Sequence, residues 1–186
     1  MSSARQLIIA ALLIVSYGLA GCDGMTDDLL PTGDDERPYV EAGTIGTQVG
    51  QQSPDWSLYD TLGNSRGLYD ELTKPDVTGV VLYFTMWCPI CEAHMQDMRI
   101  EVIPNFPTVK FFLVDYVSGT ITNSRHAQED SNYTDIETLV DTGQEVLDLY
   151  QATMGTTVVI DSAGIVRMNE DYKDGVKLTE TLQALP

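Results

Sequence analysis

The chain has 186 residues, 43% of them apolar, with 28 acidic against 10 basic side chains and a net charge of -18. That length allows one domain with a full core plus extensions, and that charge argues against a nucleic-acid binder or a basic membrane-surface binder, because it repels phosphate backbones and anionic head groups alike. The three cysteines are an odd number, which normally leaves one unpaired.

Residues 1–21 read as an export signal: a short start bearing Arg5, an apolar run over 7–15, then small residues before Cys22. The run is too short for a transmembrane helix, which needs about 20 apolar residues. Leu19-Ala20-Gly21-Cys22 resembles a bacterial lipobox, which implies cleavage before Cys22 and its acylation; an ordinary signal peptide with an incidental cysteine is the alternative. Residues 22–47 carry seven acids with scattered glycine and proline and little apolar periodicity, the composition of a self-repelling tether.

The folded domain is expected over 48–186. Residues 53–60 alternate like an exposed strand, and 62–65 supply a turn. A short helix over 68–72 precedes 80–84, apolar throughout and therefore a central strand covered on both faces. After the cysteines, a helix over 92–100 is expected to bury Ala93, Met95, Met98 and Ile100, and Pro104 and Pro107 break the chain. Further strands are expected over 109–117, 136–140, 156–160 and 165–168. The polar segment 118–133 has room for a helix. Helices are expected over 144–151 and 177–185, and the turn over 161–164 makes the last two strands a hairpin.

The chemistry concentrates in Trp87-Cys88-Pro89-Ile90-Cys91, between the central strand and the following helix. A helix start presents unpaired N–H groups and the positive end of the macrodipole, both of which favour a thiolate. Cys91 lies about one turn on, within disulfide reach of Cys88, and Pro89 suits a first turn whose N–H would have no partner. With Cys22 in a processing signal, Cys88 and Cys91 are the remaining pair.

Four segments in order, Ser53-Pro54-Asp55-Trp56-Ser57-Leu58, Trp87-Cys88-Pro89-Ile90-Cys91, Thr156-Thr157-Val158-Val159-Ile160-Asp161 and Ala163-Gly164-Ile165-Val166, resemble the thioredoxin-like superfamily, particularly the membrane-tethered thiol-disulfide oxidoreductases (redoxins) of bacterial envelopes. The resemblance implies an α/β thioredoxin-like fold with a central mixed sheet flanked by helices. It implies Cys88 as attacking thiolate, Cys91 as resolving thiol and Trp87 as their shield, with no cofactor beyond the redox-active pair. The partners it implies are protein thiols or disulfides of the envelope and a further redox partner. Two departures stand out. Gly155 holds the place of the usual cis-proline, so the groove facing the pair is expected to be more flexible or differently shaped. His94 stands where relatives often carry a glutamate, three residues past Cys91 and so on a shared helix face.

Two other readings use the same thiols. A copper-binding chaperone would add a histidine, with His126 the distant candidate. A peroxiredoxin-like peroxidase is suggested by Thr85-Met86-Trp87-Cys88-Pro89, although the proline and arginine of that pattern fall on Val81 and Gly155.

Overall fold

The structure, a computed structural model, describes residues 43–186. The expected signal 1–21, Cys22 and the tether as far as residue 42 lie outside the described residues. Residues 43–52 already hydrogen-bond to the domain: the Asn169 amide donates to the Thr47 carbonyl at 3.1 Å, and Gly50 N–H to Val166 O at 2.9 Å.

A seven-stranded mixed sheet is built from β1 (Ser57–Asp60), β2 (Ser65–Gly67), β3 (Gly79–Thr85), β4 (Val109–Asp115), β5 (Glu137–Val140), β6 (Thr156–Asp161) and β7 (Val166–Asp171), in the order β2-β1-β5-β4-β3-β6-β7. β3 runs parallel to β4 and β4 to β5, whereas β6 lies antiparallel to β3 and β7 to β6. The helices are α1 (Leu68–Leu72), α2 (Pro89–Asp97), α3 (Ile121–Asp130), α4 (Glu145–Tyr150) and α5 (Val176–Gln183). This is the thioredoxin-like α/β arrangement expected from the sequence.

All seven residues of β3 are buried, and their two-residue alternation divides the core. Val80, Leu82 and Phe84 join Trp56, Leu68, Leu72, Val146 and Tyr150 on the face carrying α1 and α4. Val81 and Tyr83 join Cys91, Met95, Met98, Leu178 and Leu182 on the face carrying α2 and α5. A strand apolar on both sides thus marks a part of the sheet with helices packed above and below.

The helix after the cysteines begins at Pro89 and continues through a π turn, Met98–Val102, and a 3-10 turn, Ile103–Asn105. Its inward residues are Cys91, Met95, Met98 and Val102, while Ala93 and Ile100 face solvent. The expected face was therefore displaced at both ends, because helical spacing is counted from Cys91: four, seven and eleven residues on return to the same side. Truncating a residue at the centre of the sheet tests the two-sided core. Leu82→Ala is expected to cost about 2–5 kcal/mol in denaturant unfolding, with the dependence on denaturant unchanged; a loss well under 1 kcal/mol would mean this position is not close-packed.

Candidate active site

β3 ends at Thr85, whose buried hydroxyl accepts the Trp87 N–H at 3.1 Å. Trp87 then takes a left-handed backbone, φ 57°, a region that bulky residues rarely visit. Its side chain is tied down in compensation. Trp87 Nε1 donates to Asp115 Oδ2 at 2.8 Å, and the other carboxylate oxygen of Asp115 accepts the Val117 and Ser118 amides, each at 3.0 Å. Asp115 is buried at the end of β4, beside Thr85 in register.

This turn places Cys88 as the N-cap of α2 and Pro89 in its first turn. The Cys88 sulfur accepts the Cys91 N–H at 3.2 Å, and the two Sγ atoms are 2.7 Å apart. Both thiols are free; Cys88 is half-buried and Cys91 wholly buried. Their electrostatics diverge accordingly. Burial pushes the Cys88 pKa up, but the Cys91 thiol and the amides of Cys91 and Ile90 hydrogen-bond its sulfur and bring the balance below an ordinary thiol. For Cys91, burial and the hydrogen bond given to Cys88 push the pKa up, against smaller downward contributions from the Met86 amide and the Thr85 hydroxyl. One thiol is prepared to ionise and its neighbour to stay protonated, each depending on the other.

Gly155 lies at the loop before β6 with φ 89° and no cis peptide bond occurs among the described residues. Its N–H donates to Phe84 O at 2.9 Å and its carbonyl accepts the Tyr172 N–H at 2.8 Å. A proline fits neither this φ nor this hydrogen bond. The loop is thus held from both sides and differs from a cis-proline loop in shape. The space facing Gly155 belongs to His94, whose ring would lie 3.7 Å from a Cβ placed there. His94 Nδ1 is 3.0 Å from the Tyr83 hydroxyl, its ring packs 4.9 Å from that of Tyr172, and burial holds its pKa below the usual imidazole value. The Tyr172 hydroxyl donates to Asp97. His126 is exposed on α3, and no group of three His, Cys, Asp or Glu side chains suited to a metal occurs among the described residues.

The structure thus brings Trp87, Cys88, Pro89, Cys91, His94 and Gly155 together and leaves His126 apart. Asp115, Tyr83 and Tyr172 were not singled out from the sequence. An acid inside the apolar run over 109–117 is the available signal for the first, since a carboxylate there must find donors; nothing in the sequence marks the two tyrosines.

Residues 49–169 match the model of the AhpC/TSA family. The chain belongs to the AhpC/TSA family. This AhpC/TSA protein is an oxidoreductase. A comparison with curated proteins found no match. Among solved structures it resembles MTB dsbF in its mixed oxidized and reduced forms, at 21% identity and TM-score 0.60, over 77% of this chain and 100% of the other. A proposed thiol:disulfide interchange protein DsbE from Chlorobium tepidum aligns at 18% identity and TM-score 0.62, over 75% and 98%. Peroxidoxin BcpB from Mycobacterium tuberculosis aligns at 22% and 0.59, over 75% and 99%. At these identities the likeness is one of fold.

The lowered Cys88 pKa predicts a pH profile. In the reduced full chain carrying Cys22→Ser, alkylation of Cys88 by iodoacetamide should rise with a midpoint below that of an ordinary thiol. Adding Cys91→Ala removes the S–H donor, so the midpoint should move to higher pH; mass spectrometry of timed aliquots reads the rate, and an unmoved midpoint would contradict the assigned cause.

Proposed function

We propose that the chain is a lipid-anchored thiol-disulfide oxidoreductase of a bacterial envelope, exchanging disulfides with protein clients through Cys88 and Cys91. The observation that supports it best is the unequal setting of the two thiols: a half-exposed Cys88 capping a helix and a buried Cys91 behind it. In the reducing direction the Cys88 thiolate attacks a client disulfide, one client sulfur leaves as thiolate, and the other stays bonded to Cys88. Cys91 then attacks the Cys88 sulfur, closing the Cys88–Cys91 disulfide and releasing the second client sulfur with the electron pair of the broken bond. An oxidant runs the same steps backwards.

Met86 and Ile90, 43% and 57% exposed, flank the thiols in sequence and offer apolar contact to a client. Neither Pro89 nor Ile90 adds a charge near Cys88, and the surface is acidic, so a reducing or intermediate potential is expected rather than that of a strong oxidant. No helix among the described residues is long and apolar enough to cross a membrane. In this reading attachment rests on acylation of Cys22, and an electron-exchanging partner of the envelope completes the cycle.

A peroxidase reading has its own support in the family match, the likeness to a peroxidoxin structure and the Thr85 position. Against it, the Thr85 hydroxyl already accepts the Trp87 N–H, and no cation figures among the leading influences on Cys88. Copper delivery lacks a third ligand near the pair among the described residues.

Reduction of insulin by the full chain separates these readings. Cys88→Ala should abolish turnover, and Cys91→Ala should accumulate a mixed disulfide visible on a non-reducing gel. Normal turnover by either variant would overturn the mechanism, and peroxide consumption much faster than insulin reduction would favour the peroxidase.

A further inference from the structure

Resolution of a mixed disulfide needs Cys91 as a thiolate, yet Cys91 is wholly buried. In the resting pair its proton points to Cys88, but once the Cys88 sulfur is bonded to a client it has no charge with which to attract that proton. Another acceptor must therefore stand on the buried side. The nearby carboxylates are committed: Asp115 holds Trp87 Nε1 and two amides, and Asp97 accepts the Tyr172 hydroxyl. What remains is a chain of neutral groups. Tyr83 packs with Cys91 in the same buried cluster, close enough for the thiols to raise its pKa, and its hydroxyl is 3.0 Å from His94 Nδ1. His94 lies one helical turn beyond Cys91 and is half-buried, so its ring joins the interior to solvent.

Resting on the disulfide-exchange reading above, we propose that Tyr83 and His94 form the proton relay that activates Cys91. The Cys91 proton passes to the Tyr83 oxygen as the Tyr83 proton passes to His94 Nδ1, with Nε2 already protonated. Tyr83 ends neutral, His94 ends as imidazolium, and the Cys91 sulfur is free to attack Cys88. The Cys91 electron pair forms the new S–S bond while the old pair leaves with the client sulfur; His94 later returns its proton to water or to that leaving thiolate. Tyr83 suits an intermediary that is never itself ionised, since burial and the neighbouring thiols push its pKa far up. Burial also keeps His94 neutral and able to accept near neutral pH, with Asp97 opposing that shift from the same helix. The other groups facing the ring are Tyr83 from β3, Tyr172 beyond β7 and the uncharged Gly155.

The test uses the reduced full chain carrying Cys22→Ser, mixed with one equivalent of 5,5′-dithiobis(2-nitrobenzoate) and followed by absorbance. Attack by Cys88 releases the first thionitrobenzoate and resolution by Cys91 releases the second, so the two steps are read separately. In Tyr83→Phe and in His94→Gln the second phase should slow roughly ten- to hundredfold, the scale of a lost general base, and the first far less. The parent's second phase should fall as pH drops through the His94 titration, below the usual imidazole range, and Tyr83→Phe should lose that limb. An unchanged second phase, a parent-like pH profile in Tyr83→Phe, or equal slowing of both phases would overturn the relay. Absence of the second phase in the parent itself would instead overturn the disulfide-exchange reading.

Discussion

The site depends on one atom serving two purposes. A helix start has amides that lack intrahelical partners, and an N-cap side chain must accept from them. Here that acceptor is the Cys88 sulfur, and a sulfur accepts such bonds better as a thiolate than as a thiol. Capping the helix and lowering the pKa are therefore the same interaction. It works only if the chain leaves β3 at a fixed angle, which explains the expense of the connection: a left-handed Trp87, costing about 1–3 kcal/mol, held by a buried carboxylate from the neighbouring strand. Parallel pairing of β3 with β4 brings Asp115 level with Thr85, so the sheet register itself sets the turn.

This local control also explains how an acidic protein favours a thiolate. A net charge of -18 opposes any new negative charge, but exposed carboxylates act through water and are screened beyond about 8 Å at physiological salt. The donors to Cys88 are in direct contact, the Cys91 amide at 3.2 Å, and partly removed from that screening. Short-range bonds decide the sign of the shift, while the distant acidity limits its size. The same arrangement accounts for the opposite displacement of Cys91, which loses water without gaining donors of equal strength.

Much of the fold was legible because its central strands are unambiguous. Residues 80–84 and 156–160 have no polar face, and a thiol pair between a buried strand and a helix has few other placements. Trp87, Cys88, Pro89 and Cys91 were readable for the same reason: their relation is local, set within one turn of helix. Ala93 and Ile100 fall outside the buried face because Cys91, completely buried, fixes the phase of the helix, and a cysteine does not announce its burial as an aliphatic residue does. Asp115 and Tyr83 reach the site through strand pairing and through a strand-to-helix contact spanning eleven residues, relations that no sequence period encodes. His94 was visible as a neighbour of Cys91, but its partner was not.

Gly155 shows how one residue shapes a site through its backbone. A left-handed backbone lets residue 155 give its N–H to Phe84 and its carbonyl to Tyr172, joining the end of β3 to the segment after β7. With no Cβ on residue 155, the space beside it is faced by the His94 imidazole. A larger residue at 155 would conflict with the φ of 89° before it met any neighbour, so backbone geometry excludes proline here even though space for a small side chain exists. Both main-chain groups of Gly155 are spent inside the protein and are not available to pair with a bound peptide. Under the proposed exchange reaction, client recognition at this point falls to side chains, with Met86, Trp87 and Ile90 providing the apolar contact that backbone pairing at Gly155 cannot.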